Sequence, residues 1–274
     1  MRSVFSILFL IGLVLTPVVR AQTEKVDDLP DQLDLQDFPG VFIDEVIVPN
    51  PAEIFNLMEK LGQPNWAGKV RRNFKIQKST DRIDLALLFG TLIADGFIAV
   101  QARDSEAVTK LGQEILELSK ALALEDAVLP HAQAILESTE DKKWGKVREE
   151  LDRTHKTVRE TMERRRAGEL AQCVSIAGWL RGTEVLTSLI IESYSTDKAE
   201  ILNQPDLAAH FVKQIEAMDP EIANEPAVQR VLEGLRKVQA LMADHDNEVL
   251  PSNEVDEIHT ICAAILELIV KSES

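Results

Sequence analysis

The chain contains few of the residues from which active sites are most often built. Its 274 residues include two cysteines, five histidines and one tyrosine. Without a CxxC pair, this composition excludes a disulfide framework and the cysteine-rich zinc sites. An exported chain could still join Cys173 to Cys262, but each lies in an apolar helical pattern. We therefore expect two separate buried thiols.

Motifs for common chemistries are also absent. The sequence has no HExxH, no GxSxG, no P-loop and no dinucleotide fingerprint, so no cofactor is predicted. Two Asp-x-x-His pairs, Asp152 with His155 and Asp256 with His259, place an acid and a histidine on adjacent helical turns. Aspartate reaches less far than glutamate, and the remaining carboxylates of a di-iron set cannot be identified. We interpret both pairs as packing or surface residues, and no metal site is predicted.

Basic residues are outnumbered by acidic ones. The chain has 30 Lys and Arg against 46 Asp and Glu, a net charge of −16. Nucleic-acid-binding proteins need clustered basic residues, and so do proteins that adhere to anionic membranes. The composition argues against both partners. A protein partner is left open, but nothing in the sequence identifies one.

The first 21 residues have the pattern of an export signal. Arg2 precedes a twelve-residue apolar run, Val4 to Leu15, and Pro17 and Ala21 follow it at the positions expected near a cleavage site. We predict cleavage before Gln22 and an exported protein, periplasmic or secreted. The alternative is an uncleaved N-terminal anchor. No membrane span is predicted in the mature chain.

Residues 22–49 are predicted to form an acidic tether followed by an extended segment. Residues 22–40 contain two prolines and show no helical or strand period. Residues 41–48 are rich in β-branched side chains, but no strand partner is evident elsewhere, so we expect this segment to lie on the helical body. Residues 50–274 are predicted to form a single helical domain.

That domain is predicted to be all-α, an irregular multi-helix bundle built on two apolar, glycine-containing helices, with an extended N-terminal arm. Apolar periodicity and capping residues predict helices over 51–61, 81–103, 105–124, 125–136, 169–193, 205–218, 226–244 and 252–270. The pattern Ser138-Thr-Glu-Asp predicts the start of a long charged helix. At Gly168 the sequence does not distinguish a helix break from a kinked continuation.

The two apolar helices, 81–103 and 169–193, contain the candidate polar site. In the first, Asp84, Thr91 and Asp95 fall within about 40° of one another at 100° per residue. This thin polar line has three interpretations: a solvent-facing edge, a functional cleft around Asp95, or part of a transmembrane span. Two acids within the helix oppose the last, since each costs several kcal/mol at insertion.

The second apolar helix offers partners for Asp95. Arg181 and Glu184 share a face, and Gly178 and Gly182 form a small-xxx-small pair that allows close helix approach. We predict that 81–103 packs on 169–193 and that Asp95 contacts Arg181. The alternative is that Arg181 pairs only with Glu184, one turn away on its own helix.

The function expected from these observations is that of a non-enzymatic binding or structural protein of the cell envelope. The alternative is an enzyme or metal binder with a carboxylate-lined site among the helices. A deep pocket around Asp95 would favour a ligand site, and a filled core would favour a scaffold.

Overall fold

The computed structural model describes residues 41–43, 46–48, 51–71, 79–245 and 249–271. The predicted signal segment and the tether over 22–40 lie outside these residues, as does part of the loop after the first helix. Two strands begin the described chain: β1 (Val41–Ile43) and β2 (Val46–Val48) pair antiparallel, with Val41 opposite Val48. The strand pairing lies within the segment itself, a pairing that the sequence pattern does not predict.

The rest of the described chain is helical, which confirms the predicted all-α class. The helices are α1 (Pro51–Lys60), α2 (Arg82–Gln101), α3 (Ser105–Ala121), α4 (Glu125–Glu140), α5 (Trp144–Arg164), α6 (Gly168–Glu192), α7 (Thr196–Glu200), α8 (Pro205–Glu216), α9 (Pro220–Ala223), α10 (Pro226–Ala243) and α11 (Ser252–Lys271). A 3-10 turn, Trp66–Lys69, lies between α1 and α2. The described residues all fall within one compact unit.

Helices α2 to α6 form a closed circuit. Each of α2, α3, α4 and α5 packs against the next helix in the chain, α5 contacts α6, and α6 returns to pack along α2. Helix α1 lies against α5 and α2. Helix α11 packs on α6, α10 lies against α11 and α8, and β2 lies against α8. Helices α8, α10 and α11 thus form a second group, which packs on α6 and is not part of the circuit.

The circuit depends on four short connections that share one geometry. Helices α2, α3, α4 and α5 each end with a residue at positive φ: Arg103, Ala123, Lys142 and Arg166. In each case the backbone N–H groups of that residue and of the residue after it donate back to the last turn of the helix, as when Ala123 donates to the Lys120 carbonyl and Leu124 to the Ser119 carbonyl. This is the Schellman ending, which usually carries glycine. None of the four left-handed residues in this chain is a glycine.

This geometry corrects one boundary and decides another. We predicted a helix over 125–136 and a new start at Ser138, but α4 continues to Glu140 and α5 begins at Trp144. The Ser138 carbonyl accepts the N–H of Lys143, so the apparent capping sequence is the last turn of α4. The helix also ends before Gly168 rather than continuing with a kink, because Arg166 takes the left-handed conformation and α6 begins at Gly168.

The contact between α2 and α6 is the most extensive helix–helix contact in the described chain. At its centre a Cβ on Gly90 would lie 2.1 Å from the Val174 carbonyl oxygen, and one on Gly178 would lie 3.5 Å from the Gly90 carbonyl oxygen. The two backbones are therefore in contact at Gly90 and Gly178, where no glycine side chain holds them apart. The predicted packing of the two apolar helices is confirmed, and glycine is the reason it is so close.

The cysteines are free and buried in separate helices, as expected. Burial raises the pKa of the Cys173 thiol to about 12 and also raises that of Cys262. Since the thiolate is the nucleophilic form, this burial disfavours reaction of either thiol at neutral pH.

Replacing Gly90 with alanine should destabilise the protein. The new Cβ would overlap the Val174 carbonyl group, and room for it can be made only if α2 and α6 move apart. We expect the free energy of unfolding to fall by about 2 kcal/mol or more in urea denaturation. The matched control is Gly182→Ala, whose Cβ would meet no atom within 4 Å. Helix propensity predicts that this change is neutral or stabilising by up to about 1 kcal/mol. Equal losses in the two variants would contradict the backbone contact.

Replacing Ala123 with glycine should stabilise the protein, because a Cβ at positive φ costs about 1 kcal/mol. Ala121, also exposed and in the last turn of α3, is the matched control. There the same change should lower the free energy of unfolding by up to about 1 kcal/mol. In thermal unfolding, we expect a higher midpoint for Ala123→Gly and a lower midpoint for Ala121→Gly than for the wild type. A lower midpoint in both variants would contradict the left-handed ending.

Candidate functional site

Asp95 and Arg181 form the contact predicted from the sequence. The Arg181 Nε and Nη2 atoms donate to Asp95 Oδ1 at 3.1 and 2.6 Å. The two side chains are 0% and 2% exposed. The backbone N–H of Arg71 donates to the same carboxylate oxygen at 3.3 Å. The thin polar line on α2 therefore does not face solvent at Thr91 and Asp95, which are both fully buried.

The alternative partner of Arg181 is present as well. Its Nη1 atom donates to Glu184 on the same helix, and its Nη2 atom also donates to the Lys69 carbonyl oxygen. An Arg71 Nη2 atom lies 3.9 Å from Glu184. We call Asp95, Arg181, Glu184 and Arg71 the polar cluster. It joins α2, α6 and the segment that follows the 3-10 turn.

The electrostatics of the polar cluster are those of a buried ion pair. Burial raises the pKa of the Asp95 carboxyl, and the charge and hydrogen bonds of Arg181 oppose that rise. Burial favours loss of the Arg181 proton, but Asp95 and Glu184 outweigh it and raise the pKa of the guanidinium. An arginine stays charged under all ordinary conditions, so the pair holds its geometry through charge-assisted hydrogen bonds.

A cavity of about 300 Å³ lies inside the circuit of helices. It is lined by α2 and α6, by α3, α4 and α5, by α1 and the 3-10 turn, and by residues that follow α6 in the chain: Ile201, Leu202, Gln204, Phe211 and Met242. The lining is almost entirely apolar, and several of its side chains remain partly exposed, among them Ile93, Ile115, Ile135, Trp179 and Leu186. This volume is at the lower end of the range of small-molecule sites.

No described residue of the lining carries a carboxylate, an ammonium or a guanidinium. His155 is the one titratable side chain among those residues. His155 is also exposed at the surface; desolvation and the nearby charge of Arg159 lower its pKa, while the charge of Asp152 raises it. At neutral pH the imidazole is therefore uncharged, and so is the described lining. His155 thus borders the cavity, a position that the sequence did not reveal.

The cavity and the polar cluster lie on different sides of α2. Gly90, Ile93, Ala94 and Phe97 of α2 line the cavity, whereas Asp95 does not. The observation that would have favoured a ligand site, a deep pocket around Asp95, is therefore not made; the cavity lies across α2 from Asp95. The connection between the two is indirect. Arg181 holds the Lys69 carbonyl, and thereby the 3-10 turn whose first residue, Trp66, lines the cavity.

His131 makes a second polar contact, which our sequence reasoning did not consider. Its Nδ1 atom lies 2.6 Å from Glu150 Oε1 and its Nε2 atom lies 3.0 Å from Thr157 Oγ1. The order hydroxyl, imidazole, carboxylate is that of a nucleophile and its base. Thr157, however, lies within α5, where backbone N–H groups bond within the helix and none can stabilise an oxyanion. The contact joins α4 to α5.

Among the described residues, no group of three or more His, Cys, Asp or Glu side chains is placed to hold a metal ion. His259 contacts the Glu184 carbonyl oxygen and the Thr187 hydroxyl rather than a metal set. Helices α2 and α6 are both long and apolar enough to cross a membrane, a property that buried core helices share.

Comparisons with known proteins identify no relative. No protein-family model matches the chain, and neither the curated proteins nor the solved structures include a match.

Replacing Asp95 with alanine should leave the Arg181 charge buried without its main partner. We expect the free energy of unfolding to fall by about 3–5 kcal/mol in urea denaturation. Glu216→Ala is the control, since it removes one partner of the exposed Arg236–Glu216 pair, and should cost about 1 kcal/mol or less. An Asp95→Ala protein that unfolds at the same urea concentration as the wild type would show that the pair is not needed for stability.

Proposed function

We propose that this protein is a non-enzymatic binding protein, exported to the periplasm or beyond the cell, whose cavity holds an apolar organic molecule. The observation that carries the proposal is the apolar, uncharged cavity of about 300 Å³ inside the circuit α2 to α6. The proposal that the protein is exported is based on the N-terminal sequence pattern alone. The excess of acidic residues supports the same picture, because it disfavours nucleic acid as the partner.

The energetics of an open core favour a ligand. Unfilled space among apolar side chains costs stability, since the lining atoms lose their dispersion contacts. A molecule that fills the space restores these contacts and stabilises the folded chain by mass action. Specificity for apolar ligands follows from the lining, since a charged ligand would be buried there without a counter-ion.

The alternative, a carboxylate-lined enzyme or metal site, has less support. Its best candidate, Asp95, is fully buried and engaged by Arg181 and Arg71. A catalytic carboxylate has to reach a substrate, and a metal ligand needs neighbouring ligands. We therefore propose that the polar cluster maintains the structure and that the cavity binds the ligand.

The proposal predicts that a side chain placed in the cavity blocks binding. Gly182 lines the cavity, and a Cβ there meets nothing within 4 Å, so Gly182→Phe fills the space without a backbone clash. The probe is Nile red, an uncharged dye whose fluorescence rises in apolar surroundings. We expect the wild type to bind it and Gly182→Phe to bind it at least about tenfold more weakly.

Gly145→Phe is the matched control. Gly145 lies in the first turn of α5, outside the described lining, and its Cβ also meets no atom within 4 Å. This variant should retain the wild-type affinity, and circular dichroism should show that both variants are folded. Equal binding by all three proteins would place the dye elsewhere and contradict the proposal.

A further inference from the structure

One joint in the circuit of helices around the cavity is looser than the others. Helices α5 and α6 contact each other much less than any other two neighbours in the circuit do. On α6, four residues that line the cavity recur at helical spacing, and none of them is buried: Ser175, Trp179, Gly182 and Leu186. A Cβ on Gly182 would meet no atom within 4 Å, so this face of α6 borders open space. We call the joint between α5 and α6 the gap.

Two residues of the described lining are exposed at the surface, and they lie on the two helices of the gap. His155 is on α5 and Ser175 is on α6, whereas the other described lining residues are buried or half-buried. Helices joined by a short connection run antiparallel, and these two residues lie about ten positions before and after Arg166, so they lie across the gap from each other. The cavity therefore opens to the surface through the gap.

His155 is the lining residue whose polar atoms the chain leaves available. The hydroxyl groups of Thr154 and Ser175 donate to carbonyl oxygens of their own helices. The Gln204 side chain accepts one hydrogen bond and donates another within the chain, and Thr183 is buried. The His155 imidazole has no hydrogen-bond partner among the residues that the structure describes. A ligand in the cavity can therefore meet an exposed imidazole at the gap.

The chemistry of the gap limits the polar group that fits there. A neutral imidazole has one N–H donor and one acceptor nitrogen, and a hydroxyl group can pair with either. A carboxylate can only accept, and beside His155 it would meet the charge of Asp152 as well as that of Arg159. The chain as a whole also has a net charge of −16. An uncharged hydroxyl group therefore fits better than an anionic one.

We propose that the cavity binds a single-chain amphiphile with a hydroxyl head, whose apolar chain fills the interior and whose hydroxyl group forms a hydrogen bond with the His155 imidazole in the gap. This inference rests on the proposed function and names its ligand class. Burial of the apolar chain supplies most of the affinity. His155 determines which end of the ligand lies at the surface.

The test uses the full chain and three probes that displace Nile red: decanol, undecane as an alkane with the same number of heavy atoms, and decanoate as the charged analogue. His155→Phe keeps a ring and removes both nitrogens. We expect it to weaken decanol binding about fivefold without weakening undecane binding, as for the loss of one hydrogen bond. Decanoate should bind the wild type at least about tenfold more weakly than decanol.

Two further variants serve as controls. His155→Gln again offers a donor and an acceptor, so it should retain most of the decanol affinity. Thr154 is the neighbouring lining residue, and its hydroxyl already donates to the Glu150 carbonyl oxygen at 2.6 Å. Thr154→Val should therefore change the decanol and undecane affinities by the same factor.

Nuclear magnetic resonance gives a measurement on the wild type itself, with decanol labelled with carbon-13 at the carbon that bears the hydroxyl group. Nuclear Overhauser effects should join the protons of this carbon to the His155 ring, whose signals are identified by their loss in His155→Phe. The terminal methyl group of decanol should show no such effect, because it lies in the interior.

The outcomes separate this inference from the proposed function. If neither decanol nor undecane displaces the dye from the wild type, the proposed function fails, and the inference fails with it. If both bind, but His155→Phe weakens them equally and no Overhauser effect reaches the His155 ring, only the inference is overturned. Decanoate binding as tight as that of decanol would overturn the preference for an uncharged head.

Discussion

The close approach of α2 and α6 at Gly90 is the contact from which the rest of the described structure follows. Because Gly90 has no side chain, the backbone of one helix rests on the Val174 carbonyl of the other. Two helices in backbone contact leave little room for side chains between them, so their larger residues point to either side. One side receives α11 and the polar cluster, and the other receives the circuit α3 to α5 and the cavity.

The two sides have opposite physical character and yet depend on each other. On the polar side, Asp95 Oδ1 accepts three hydrogen bonds and Arg181 donates to both Asp95 and Glu184, whereas the buried Asp95 Oδ2 has no hydrogen-bond partner among the described residues. The same guanidinium holds the Lys69 carbonyl and so positions the turn with Trp66. The buried ion pair thus holds the turn whose first residue, Trp66, lines the cavity.

The consecutive helices around the cavity are joined by connections that share one geometry. Each of α2 to α5 ends in a left-handed residue, and three-residue connections turn the chain back without covering the interior. None of these residues is glycine, so each ending retains some strain, and tertiary contacts outweigh it. Helices that surround an apolar cavity are the arrangement that the proposed ligand-binding function requires.

Local chemistry in the sequence determined most helix starts: Asp81 caps α2, Ser195 caps α7, and prolines open α8 and α10. The pairing of the two apolar helices and the Asp95–Arg181 contact also followed from it, because helical spacing shows which residues share a face. Only the tertiary structure decided that Asp95 is buried, since spacing does not show what covers a face. It also decided that α4 extends past Ser138, where a capping pattern fell within a last turn. The cavity could not be predicted at all, because empty volume depends on the distances between helices rather than on the residues of any one of them.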